Sequence, residues 1–163
     1  MSHTAQSPVS DDASPTRSVY VDGLEPRSHR WLSEQAHKAL ALLEAAGDVR
    51  VRIVDDAAMA DAHQRFSGVS GTTDVLTFDL AIDPAVLDVD ILICLDEARR
   101  QAQARGHTLE RELLLYIIHG TLHCLGHDDH DEAEAARMHA EEDRVLEAIG
   151  VGRTFAPAPE GTR

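Results

Sequence analysis

The chain has 163 residues, 43% of them apolar, and a formal net charge of −14. Its size and apolar content suit one ordinary domain with one core. They speak against a membrane protein, since no stretch approaches the roughly 20 apolar residues a span needs, and against an exported one, since the first 16 residues are polar and acidic. Only Cys94 and Cys124 occur, each inside an apolar run, so no disulfide framework is available and a reducing cytoplasm is expected.

The acidity weighs against nucleic-acid binding, because phosphate binders usually present a basic face. Its distribution softens the point: nine of the 29 acids lie between Asp128 and Glu147, whereas Arg65, Arg99, Arg100, Arg105 and Arg111 occupy the middle of the chain.

In chain order, residues 1–16 are rich in Ser, Asp and Pro and read as a disordered tail. Ser18 to Asp22 is a short strand. Arg30 to Ala46 is a helix with Trp31, Ala36, Leu40 and Leu43 on one face, stopped by Gly47. Val49, Val51 and Ile53 then alternate with Arg50 and Arg52, which is the period of a half-buried strand. A short helix follows around Ala57 to Phe66, then a Gly/Ser/Thr loop from Ser67 to Thr72. Asp74 to Leu80 and Asp90 to Leu95 read as strands with a turn at Pro84. Glu97 to Ala104 should be a helix ending at Gly106, and Thr108 can cap the next one. That helix is apolar on every side from Leu113 to Ile118, which places it in the interior. Asp131 and Glu134 have the spacing of a capping box for a last helix with Met138, Val145, Leu146 and Ile149 on one face. The expectation is an α+β domain over 17–152, with about four strands in a small mixed sheet and about five helices, followed by a tail at 153–163.

His119 and His123 are four apart on the buried helix, so both rings leave the same face one turn apart and can reach one cation. Burying two imidazoles in an apolar helix is costly unless their nitrogens find partners, which a metal supplies. Gly126 can take the left-handed conformation and turn the chain back toward the pair. Asp129 or His130 then completes a three-ligand site with an open position, the arrangement of catalytic zinc. An open site of this kind lowers the pKa of water to about 7 and polarises the bond under attack, so hydrolysis is the expected chemistry. A zinc peptidase would carry a glutamate directly after the first histidine; here that position is Gly120.

The run His119-Gly120-Thr121-Leu122-His123, with Gly126 and an acidic, histidine-bearing turn after it, resembles the signature of the YbeY family of bacterial rRNA-maturation endoribonucleases. Thr73-Asp74-Val75-Leu76-Thr77-Phe78, Asp90-Ile91-Leu92-Ile93-Cys94 and Arg111-Glu112-Leu113 resemble further family segments, in the family's order. The resemblance implies a zinc-dependent endoribonuclease acting on single-stranded RNA, maturing the 3′ end of small-subunit rRNA and serving ribosome quality control. Its partners would be single-stranded rRNA and the ribosome or small-subunit proteins, with neither membrane nor DNA. His119 and His123 match two ligand positions. The family's third histidine falls on Asp129, which keeps the spacing, while His130 keeps the ligand type one residue further on. The family's usual arginine falls on Ser67, leaving Arg65, two residues away, as the candidate phosphate-holding cation. Two other readings stand beside this one: a zinc hydrolase of peptides or small molecules, and a ribosome-associated binding factor with a structural metal.

Overall fold

The computed structural model describes residues 16–155. Nine elements follow in order: β1 (Arg17–Asp22), α1 (Pro26–Leu42), β2 (Gly47–Val54), α2 (Asp56–Ser67), β3 (Val75–Asp79), β4 (Leu87–Cys94), α3 (Leu95–Arg105), α4 (Leu109–Cys124) and α5 (Glu132–Ala148). The sheet order is β1-β2-β4-β3, parallel except for β3, which runs antiparallel to β4 along one edge. This is the expected α+β arrangement of four mixed strands and five helices. Of the tails, 1–15 and 156–163 lie outside the described residues.

Alternation decides which face of the sheet is covered. Val49, Val51 and Ile53 of β2 are buried, as are Leu87, Val89, Ile91 and Ile93 of β4. The register aligns Val21, Val51, Ile91 and Thr77 in one row across all four strands, facing the helices. The next row, Tyr20, Arg50, Asp90 and Phe78, faces the opposite side. Helix α4 is the centre of the covered layer and packs against β3, β4, α1, α3 and α5. Its Leu113, Leu114, Ile117, Ile118 and Leu122 are fully buried, each contributing about 1.5–3 kcal/mol of apolar burial.

The largest differences from the sequence reading are at both ends of α1 and at the start of β4. Helix α1 starts at Pro26 rather than Arg30, because Pro26 sits in its first turn and the Glu25 side chain accepts from the Ser28 amide at 3.1 Å. It also ends at Leu42, before Gly47. Gly47 does not stop the helix but opens β2 at φ 120°, where a Cβ would lie 2.1 Å from the Leu87 carbonyl oxygen. Strand β4 begins at Leu87 and ends at Cys94, while Leu95 starts α3. The β3–β4 connection is set by aspartates as well as by Pro84: Asp79 and Asp83 accept from the amides of Ala81 and Ala85.

Candidate metal centre

The C-terminal end of α4 brings two imidazoles together at the surface of the core. The His119 and His123 rings are 4.6 Å apart and nearly perpendicular, with their Nε2 atoms 3.1 Å from one another. On the other side of each ring the tautomer is fixed. His119 Nδ1 donates to Glu142 Oε1 at 2.6 Å, and His123 Nδ1 donates to the His127 carbonyl oxygen at 3.1 Å. The helix ends at Cys124 with Leu125 as its cap, Gly126 takes φ 96°, and the His127 amide returns to the Leu122 carbonyl at 3.0 Å. This reversal carries Asp129 back, so that its Oδ2 lies 3.6 Å from His119 Nε2 and 3.7 Å from His123 Nε2.

This donor set fits a divalent cation. With both Nδ1 atoms donating, two neutral rings would aim their Nε2 lone pairs at each other, with a carboxylate oxygen beside them. Only a cation, a proton or a metal, relieves that arrangement. Ligands bound tetrahedrally at about 2.0–2.1 Å stand about 3.3 Å apart, close to the separations observed here. Burial pulls the His119 pKa down, but the hydrogen bond and charge of Glu142, with Asp129 and Asp74, outweigh it and raise the pKa above the ordinary value. The site therefore already attracts positive charge.

The three residues open onto a cleft of about 530 Å³ whose far wall is β3, with Asp74, Thr77 and Asp79 among its lining. Cys124 also lines it, but burial, aided by the Asp79 charge, pushes its thiol up to about 11, so it stays protonated at neutral pH. At Gly120 the helix comes so near the sheet that a Cβ would lie 2.7 Å from Thr77 Oγ1 and 3.1 Å from Ile91 Cδ1. No glutamate base fits there. A larger hollow of about 830 Å³ lies on the opposite face of the sheet around Tyr20, Phe66 and Phe78. Its Arg50 is held by Asp88 and Asp90, both at 2.5 Å, and among the described residues no group of His, Cys, Asp and Glu placed to hold a metal lies in it.

The structure thus brings His119, His123 and Asp129 together, and a second group, Asp128, Asp129 and His130, shares Asp129 with it. His130 is 85% exposed and turned to Asp128, at 3.3 Å. Arg65 is exposed in the last turn of α2, with Ser67 beyond it, and neither lines the cleft. Glu142, fully buried, was missed. Its signal was a carboxylate on the apolar stripe of α5, four residues after Met138 and four before Leu146. His139 Nδ1 donates to its other oxygen at 2.9 Å.

Comparison with known proteins adds a family model described as Endoribonuclease YbeY, which matches residues 17–150. The chain belongs to the YbeY family. Among curated YbeY endoribonucleases, that of Desulfitobacterium hafniense is 39% identical over 116 residues, covering 65% of this chain and 74% of the relative. The one from Rhodopirellula baltica is 32% identical over 152 residues, covering 91% and 77%. A solution structure of a Thermotoga maritima protein superposes with a TM-score of 0.62 at 25% identity, covering 82% of this chain and 89% of that one. The match spans every element from β1 to α5, so this YbeY chain carries its histidine pair within the shared fold.

Proposed function

We propose that this chain is a zinc-dependent endoribonuclease specific for single-stranded RNA, acting in the cytoplasm on the 3′ end of small-subunit (16S) rRNA and in ribosome quality control. The observation that carries the reading is the convergence of His119 Nε2, His123 Nε2 and Asp129 Oδ2 at one end of an open cleft, in a chain of an endoribonuclease family. His119, His123 and Asp129 would hold the metal. Bound there, zinc supplies Lewis acidity toward a phosphodiester and lowers the pKa of water.

The chain's own groups account for the rest. Glu142 and the His127 carbonyl keep both Nε2 lone pairs aimed into the cleft. The acids Asp74 and Asp79 line the opposite wall, so phosphate approach depends on compensation by positive charge. Arg65, exposed at the end of α2 and without an ion-pair partner among the described residues, is the arginine we assign to a bound phosphate. With a net charge of −14, the isolated protein binds RNA weakly and in a salt-sensitive way, which assigns substrate choice to the ribosome context. Gly120 leaves a peptidase without its base. His130, exposed and turned to Asp128, speaks against a closed structural metal with four protein ligands.

Metal content and cleavage of single-stranded RNA, measured together, test this reading. His123→Ala and Asp129→Ala should lose both, while His130→Ala keeps both and Arg65→Ala keeps metal but cleaves more slowly. Cleavage that persists after the metal is gone would sink the nuclease assignment and favour a binding factor.

A further inference from the structure

Glu142 has no exposure to solvent, and a buried carboxylate is costly unless both oxygens are engaged. Each oxygen accepts from a different imidazole: Oε1 from His119 Nδ1 at 2.6 Å and Oε2 from His139 Nδ1 at 2.9 Å. One bond alone would leave the carboxylate free to swivel about its last torsion; the second fixes its plane, and with it the tilt of the His119 ring. His139 is held in turn, since its ring stacks on Phe155 at 3.8 Å and 25°. Phe155 is pinned as well. Its amide and that of Thr154 donate to Asp143 at 3.1 and 2.6 Å, the Arg105 guanidinium lies 5.3 Å over its ring, and Arg153 pairs with Glu147 at 2.6 Å.

We propose that His139 and Glu142 are positioning residues through which the segment Arg153 to Phe155 sets the orientation of His119 and thereby the metal affinity of the site. This rests on His119 being a metal ligand. A ligating histidine whose second nitrogen bonds a carboxylate is more basic and better oriented, and losing such a partner typically weakens metal binding about 10–100-fold. The relay here is longer than that pair. It runs from the cleft through two side chains of α5 to an aromatic ring beyond the last helix, so that a residue 40% exposed at the surface bears on a ligand it does not touch.

The test uses the full chain, with zinc affinity read by competition against a chromophoric chelator, the visible spectrum of the cobalt(II) form, and melting in EDTA. Glu142→Gln keeps the shape and loses the charge, and should weaken zinc about 10–100-fold. His139→Leu removes the Nδ1 donor at a half-exposed position. It should weaken zinc several-fold and shift the cobalt spectrum, while melting in EDTA stays near wild type. His139→Asn, whose amide nitrogen stands where Nδ1 stood, should recover most of the loss, and Phe155→Ala should resemble a milder His139→Leu. Unchanged affinity and spectrum in His139→Leu, with or without a lower melting temperature in EDTA, would overturn the relay while leaving the ligand assignment standing. A wild-type chain that takes up neither zinc nor cobalt would remove the ligand assignment, and the relay with it.

Discussion

The two ends of α4 each bury charge in an apolar helix, and they do it differently. At the N-terminal end Glu112 is fully buried, yet Arg105 Nη1 at 2.9 Å, from the last residue of α3, and His107 Nε2, from the turn that follows, both donate to it. Both oxygens of the Glu112 carboxylate are answered by near neighbours in sequence. At the C-terminal end His119 and His123 are answered on their Nδ1 sides only, and their Nε2 sides converge on an open cleft. A buried polar cluster that is complete in itself contributes stability and a defined packing; one that is left incomplete toward solvent marks the place where a ligand belongs.

Removing the closed cluster should give the largest effect on stability. Glu112→Ala leaves the buried His107 and the part-exposed Arg105 without their partner and should cost about 3 kcal/mol in urea unfolding, at the lower end for broken buried pairs. Zinc uptake should be unchanged. If Glu112→Ala instead lost its metal at constant stability, the distinction between the two ends would collapse.

Metal removal probes the other end. A cation held at 100 times its dissociation constant stabilises by about 2.7 kcal/mol, which for a domain of this size is about 10 °C in Tm. EDTA should lower the wild-type melting temperature by that order and leave His123→Ala where it was. Gly120→Ala ranks next. Helix propensity favours the change by about 1 kcal/mol, but crowding against Thr77 and Ile91 works against it, at about 1–3 kcal/mol. Calorimetry should show a net loss of about 1 kcal/mol.

The smallest effect lies outside α4, at a surface ion pair. Arg100, with a further bond from the Cys94 thiol, holds the Asp56 carboxyl at about 2. A depressed carboxyl stabilises the fold above the ordinary carboxyl range, and that contribution fades as the pH falls toward 2. Carboxyl NMR should find the Asp56 midpoint well below 3.8 in the wild type and close to it in Arg100→Gln.

The elements with a regular period were legible before any coordinates. Alternation in β2, the all-round apolar run of α4 and the caps at Thr108 and Asp131 all stand where spacing put them. The ends of α1 and β4 were not: Glu25, outside the usual capping residues, caps α1 through the Ser28 amide, and Gly47 packs on Leu87, a tertiary neighbour at the start of β4. In the site, the pair on one helix face was legible from a spacing of four, and so was the chain reversal at Gly126. The choice between Asp129 and His130 was not, since one residue of loop decides which side chain faces the pair. Glu142 escaped because its partner lies 23 positions away, and only an odd carboxylate on an apolar stripe pointed to it.

The contact between Gly120 and the edge strand has a further consequence. Position 120 puts no side chain of α4 between the helix and the sheet, so the approach of α4 to β3 is limited by the side chains of Thr77 and Ile91. The breadth of the slot between the histidines and β3 is thereby tied to the lack of a side chain at position 120.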